Sequence, residues 1–200
     1  MTLSPRTGLD LMPPAFSEGL DDWSWGDGTP ESPSYDRAEF ARLAVNDPDF
    51  GTCLEMRKVE PVQRLRYMGE LPLPRGALIE VSAHLKALRG PLPGARIAAW
   101  AGGARGQGVA GLSTEGPLAE LDAHGVVHKL RAVIGPESLP GVDLVWDPRA
   151  LYAHVGLDLV GPSRGVVRID RLTVREVTGD FAATRLMPGF AEPPAPRPLR

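Results

Sequence analysis

A single cysteine in 200 residues, Cys53, excludes an internal disulfide and any zinc site built on several thiolates. Its neighbours Phe50, Leu54 and Met56 read it as a small core residue rather than a nucleophile. Lysine is nearly as scarce, at 58, 86 and 129 alone; the remaining basic residues are arginine, a bias that genome composition by itself would produce. The formal net charge is −3 and no basic cluster is interleaved with aromatics, which argues against a general nucleic-acid grip. No apolar run approaches the roughly 20 residues needed to cross a bilayer, so membrane insertion is not expected. The opening MTLSPRTGLDLMPPAF has one Arg with no apolar stretch of about 7–15 residues behind it, unlike a secretory signal. The expectation is synthesis in the cytoplasm without a signal peptide. For a ligand outside the cell, that implies release by lysis, by a signal-free route, or within a larger particle.

Catalytic signatures are missing as well. There is no G-x-S-x-G elbow, no H-E-x-x-H and no dinucleotide fingerprint. The glycine-rich AGGARGQGVAG at 101–111 lacks the Lys-Ser/Thr ending of a phosphate loop and reads as a mobile connection between strands. His124, His128 and His154 lack the close spacing of a zinc motif. A glycosidase would need two carboxylates in one cleft; Glu55, Asp158 and Asp170 are available, but no spacing selects a pair. The chain is therefore expected not to be an enzyme. Helical periodicity is also nearly absent: GPLAELDAHG at 116–125 alone has an early Pro, a Leu118/Leu121 pair and a closing Gly, enough for two turns at most.

What is present is alternation. In ALIEVSAHLK, residues 77–86, Ala77, Ile79, Val81, Ala83 and Leu85 share one face and Glu80, Ser82, His84 and Lys86 the other, which predicts a strand with one side in the core and one in water. Weaker alternation at 37–46, 52–59, 62–68, 95–101, 126–134, 142–147 and 151–160 brings the count to about ten strands with those at the two ends. The 23 Gly and 21 Pro are aperiodic, as turns between short strands require. Without crossover helices, these strands predict an all-β fold, a two-sheet antiparallel β-sandwich of jelly-roll type. The expected organisation is an extended N-terminal arm over 1–15, the sandwich over 16–177, and a Pro-rich C-terminal arm over 178–200. That last arm carries Phe181, Leu186, Met187 and Phe190 as apolar anchors.

The jelly-roll variant is chosen on local pattern. Phe16-Ser17-Glu18-Gly19 runs to Trp23, and near the other end Val167, Ile169 and Asp170 are followed by Leu172 and Val174. The apolar phase shifts at Asp170-Arg171, as an inserted bulge residue would cause. Together these segments resemble the first and last strands of carbohydrate-binding-module-like and galactose-binding-like jelly rolls, over roughly residues 16–177. Ser17 departs from the usual Phe-Glu adjacency. The resemblance implies adjacent terminal strands and a structural Ca²⁺ held in part by Glu18 and Asp170. Two carboxylates supply only part of the roughly six to eight oxygens that Ca²⁺ takes.

Sugar recognition needs a flat apolar surface beside planar hydrogen-bonding groups. In ARIAAWA, residues 95–101, Trp100 shares a face with Arg96 and Ala98, where it could floor a shallow groove. It could equally fill the core opposite short side chains. Arg64 in VQRLRYM, His84 on the polar side of its strand, and Trp25 in the turn-like WSWGDG complete the candidate ligand-binding set. Tyr35, Tyr67, Trp146 and Tyr152 read as packing residues. The function expected is a non-catalytic, carbohydrate-recognising adhesion module. Its specific form is a spike or fibre subunit of a virion or gene transfer agent that binds capsular polysaccharide, a homo-oligomer whose terminal arms attach to other particle subunits. A purely structural particle protein and a β-sandwich polysaccharide lyase or hydrolase are the alternatives.

Overall fold

The alternating runs fold as strands, and the strands lie in two sheets. The computed structural model describes residues 8–17, 19–24, 41–74, 76–103, 108–113, 120–146 and 150–178. In chain order the strands are β1 (Leu9–Asp10), β2 (Trp23–Ser24), β3 (Ala41–Asp47), β4 (Gly51–Lys58), β5 (Val62–Tyr67), β6 (Leu71–Pro72), β7 (Ile79–Arg89), β8 (Gly94–Gly103), β9 (Gly108–Ser113), β10 (Val127–Gly135), β11 (Leu144–Val145), β12 (Ala150–Val160) and β13 (Gly165–Glu176). One sheet has the order β11-β10-β7-β13-β4-β3, with β1 also on β13; the other has β2-β5-β12-β8-β9, with β6 also on β12. Pairing is antiparallel throughout except between β10 and β11.

The long strands show the winding. From β4 the chain crosses to β5, back to β7, over to β8, stays for the β8–β9 hairpin, returns to β10, crosses to β12 and ends on β13. The inner orders that result, β4-β13-β7-β10 facing β5-β12-β8-β9, are those of a jelly roll made of two Greek keys. Alternation then supplies the core: Leu54, Met56, Val81, Leu85, Ile134, Val167 and Ile169 from one sheet meet Leu65, Ile97, Val155, Leu157 and Leu159 from the other.

One expectation is met in detail. The phase shift at Asp170-Arg171 is a bulge: the β13–β7 register jumps between Asp170 and Thr173, and Arg171 has φ +50°. That extra residue keeps Leu172 and Val174 facing inward after Ile169, so both halves of β13 bury their apolar residues.

Others are corrected. The first strand to meet the last is Leu9–Asp10, paired with Glu176 and Arg175, and not the segment 16–23. Phe16 sits in a turn at φ +64° with its ring 4.6 Å from Trp23, which in turn lies 5.3 Å from Tyr67. Trp23 itself pairs with Tyr67 in the other sheet. The two aromatics of the motif thus close one end of the core. The described part of the expected helix, 120–125, is extended, because Leu121 exchanges both backbone hydrogen bonds with Leu92 at 2.8 and 2.9 Å. The glycine-rich connection is in its described parts a hairpin, with Ala101 and Gly102 of β8 paired to Val109 and Gly108 of β9.

The polar face of β7 is covered rather than wet. Glu80, Ser82 and Lys86 are all buried, and His84 is partly so. At Lys86 the β3–β4 turn folds over the sheet: Asp47 Oδ1 accepts the N–H groups of Asp49 and Phe50 at 2.9 and 3.0 Å, and the Phe50 ring lies 5.0 Å from Lys86 Nζ, whereas Ser82 meets the Thr173 hydroxyl at 2.9 Å and Glu80 accepts from Arg131 Nε at 2.6 Å. Lys86 then donates to Asp47 at 2.7 Å and to Asp49 at 2.6 Å, while Arg168 bridges Asp47 and Glu55.

Burial alone would raise the Asp47 carboxyl, but Lys86, Arg168 and the two backbone donors hold it far below the ordinary carboxylate range. Its folded pKa lies beneath the unfolded value, so the stabilisation is complete above the ordinary value of 3.8 and is lost as pH falls through and below it. Glu55 acts with the same sign; Asp170, raised chiefly by burial, acts with the opposite one. Urea midpoints measured from pH 7 to pH 3 should therefore fall, and Asp47→Asn should flatten that slope while lowering stability at pH 7. An unchanged slope in the variant would assign the acid loss elsewhere.

β4 ends on an unusual inward residue. Lys58 follows Leu54 and Met56 on the core side and is 1% exposed. Its ammonium donates to the carbonyls of Glu60 at 2.8 Å, Gly161 at 2.6 Å and Ser163 at 3.0 Å. Glu120 holds the same loop, accepting from the Ser163 backbone N–H and hydroxyl at 2.9 and 2.8 Å.

Candidate functional site

The six-stranded sheet turns one face to the core and the other outward, and the middle of that outward face on β5 and β12 is mostly polar. On β12, Ala153, Val155, Leu157 and Leu159 face in, leaving Tyr152, His154, Gly156 and Asp158 outside. Register sets Asp158 between Arg64 of β5 and Arg96 of β8. One residue pair along, Gly156 lies between Arg66 and Ala98; the next position places Trp100 opposite His154.

Three guanidinium groups converge on the Asp158 carboxylate. Arg66 Nη2 donates to Oδ1 at 2.5 Å, Arg96 Nε donates to Oδ2 at 3.0 Å, and Arg64 Nε stands 4.0 Å from Oδ1. Asp158 and Arg66 are buried, whereas the side chains of Arg64 and Arg96 are 31% and 32% exposed. Arg66 lies flat across β12, its Nη1 donating to the carbonyls of Leu65 at 2.9 Å and Leu157 at 3.1 Å. Gly156 makes that path available: a Cβ there would stand 2.1 Å from the Leu65 carbonyl oxygen and 2.8 Å from Arg66 Cδ. Burial pulls the Arg66 guanidinium down to about 10 in spite of Asp158 beside it. His154 is buried, its ring edge-on to Tyr152 at 5.5 Å and 81°.

The structure thus brings Arg64, Arg96 and the register position of Trp100 to one sheet face and leaves His84 on the other side of the sandwich. His84 pairs with Asp170 and Lys129 on the outer face of the seven-stranded sheet, where burial, Arg171 and Lys129 push its pKa below the usual value. Trp25 and Glu18 lie outside the described residues. Asp170, the other residue of the expected calcium tie, has Arg171 Nε at 3.8 Å. Among the described residues no three His, Cys, Asp or Glu side chains gather as a metal site would require.

Sequence reasoning named Asp158 only as an available carboxylate, not as a ligand-site residue, and considered His154 only against the spacing of a zinc motif. The signal for Asp158 was available: it is the one acid in the strands of this sheet, set in the apolar run GLDLV. A lone carboxylate in such a run needs cationic partners on its neighbours.

No protein-family model matches the chain, and no curated protein matches it in sequence. Solved structures do match in fold. The CBM22-1 xylan-binding domain from Paenibacillus barcinonensis Xyn10C superposes with a TM-score of 0.56 at 11% identity, over 87% of this chain and 98% of its own. The CBM22-1-CBM22-2 tandem domain of the same protein gives 0.55 at 10% identity, over 86% and 50%. The enzymatically active domain of tailspike protein 4 from bacteriophage CBA120 gives 0.53 at 9% identity over 84% of this chain, which spans 21% of that one. At such identities the likeness is one of fold: the chain is an all-β sandwich of jelly-roll type, as carbohydrate-binding modules are.

Proposed function

We propose that this protein is a non-catalytic carbohydrate-recognising module whose ligand lies across the outer face of the six-stranded sheet. The observation that carries it is the row Arg64–Asp158–Arg96 beside the Trp100 position, which sets fixed, planar hydrogen-bond donors next to an aromatic residue. A fold shared with a xylan-binding domain and with part of a phage tailspike supports it. In its specific form the module is an adhesion component, a spike or fibre subunit of a phage-like particle such as a virion or gene transfer agent, with capsular polysaccharide as ligand. Its two terminal arms attach it to copies of itself and to other particle subunits, and many weak sites then add to firm attachment.

A glycan array and a capsule pull-down test this directly. The expected result is retention on at least one polysaccharide, weakened about tenfold or more in Trp100→Ala with the circular dichroism spectrum unchanged. Retention on no glycan would leave a structural particle protein. Release of reducing ends or unsaturated products from a polysaccharide panel would make it an enzyme instead.

A further inference from the structure

We infer that the saccharide bound here is anionic, carrying carboxylate or sulfate groups, and that Arg96 receives one of them. The inference rests on the carbohydrate reading and narrows it to a ligand class. The six strands of this sheet contain Arg64, Arg66 and Arg96 but only one acid, Asp158, although the whole chain has a net charge of −3. The other sheet is mixed, with Asp47, Glu55, Glu80 and Asp170 facing Lys86, Arg131 and Arg168. The other sheet also carries more Lys and Arg than acids, so the distinction is local: Asp158 alone is set against three guanidinium groups, and that cluster keeps an excess of positive charge where the candidate ligand residues meet.

Arg96 is also built to receive an anion. Its Nε is committed to Asp158 Oδ2 at 3.0 Å, which fixes the plane of the guanidinium. The same carboxylate already has Arg66 as a buried partner at 2.5 Å, so Asp158 aims Arg96 without being needed to neutralise it alone. One-third of the Arg96 side chain reaches solvent, and its terminal nitrogens make no hydrogen bond among the described residues. Two coplanar N–H donors at a fixed orientation match the two oxygens of a carboxylate or sulfate. A neutral pyranose would leave that charge facing hydroxyls alone.

Affinity electrophoresis of the full chain should compare polygalacturonate with its carboxyl-reduced product, and dextran sulfate with dextran. Retention by one anionic polymer and not by its neutral counterpart is expected, and which pair responds tells carboxylate from sulfate. Raising the salt should weaken that retention. Arg96→Gln should cost about tenfold in affinity, and Arg96→Lys should recover part of it, both with melting temperatures close to wild type. Equal retention by charged and neutral partners, or full retention by Arg96→Gln, overturns the anionic class and leaves carbohydrate recognition standing. Retention by none of these polymers together with an empty glycan array removes both.

Discussion

Lys58→Met should lower the melting temperature by roughly 6–12 °C, which corresponds to about 3 kcal/mol for a chain of this size. Methionine keeps most of the apolar stem that packs behind Leu54 and Met56, so the change isolates the ammonium. Three carbonyl oxygens, of Glu60, Gly161 and Ser163, now turn toward that one cation at 2.6 to 3.0 Å. Without it their dipoles point at one another with no donor between them. Burial lowers the Lys58 pKa, with Glu120 and then Glu60 opposing that shift. The ammonium is therefore held at a desolvation cost that its three acceptors offset, and removing it leaves those acceptors unsatisfied. The connections β4–β5 and β12–β13 meet at this point, so the loss should appear as earlier proteolysis in both. A melt within about 2 °C of wild type would mean that water replaces the ammonium.

The fold was legible in the sequence wherever one face of a strand reached the core. β7, β12 and β13 alternate because the sheets pack on one side, and the β13 bulge showed itself as a change of apolar phase at Asp170. The β8–β9 hairpin did not show, because Gly and Ala in AGGARGQGVAG give no contrast between faces. The 120–125 segment misled for a different reason. Its Leu spacing and flanking Gly suit a short helix, but the backbone partner that decides the matter, Leu92, is remote in sequence. The polar face of β7 misled likewise. Alternation reports that Glu80, Ser82, His84 and Lys86 share a face and cannot report that the 47–50 turn folds over Lys86 or that Thr173 and Arg131 meet Ser82 and Glu80.

The candidate site was half legible on the same terms. Arg64, Arg96 and Trp100 were placed by composition and alternation, and register puts all three on one sheet. His84 was placed on equal grounds and lies on the opposite sheet. Which sheet a strand joins is set by the winding of the chain, and strand alternation carries no trace of it. Asp158 and Arg66, 92 residues apart, could not be paired without the register.

The pair provides the sharpest separation of fold from site. Asp158→Ala should destabilise the protein by about 3–5 kcal/mol, since it removes the countercharge of a buried guanidinium and leaves Arg64, Arg66 and Arg96 to repel one another. Replacing both partners, as Arg66→Met with Asp158→Leu, should restore most of that loss, because a buried ion pair exchanged for apolar residues of similar size is commonly neutral or better. Binding should not follow stability. In the double variant Arg96 keeps its charge but loses the carboxylate that fixes its plane, so affinity for the anionic polymer should stay about tenfold below wild type while the melt recovers. A double variant that melts like Asp158→Ala would make the site's buried pair indispensable to the sandwich. One that binds like wild type would mean that Asp158 supports the fold and does not position Arg96.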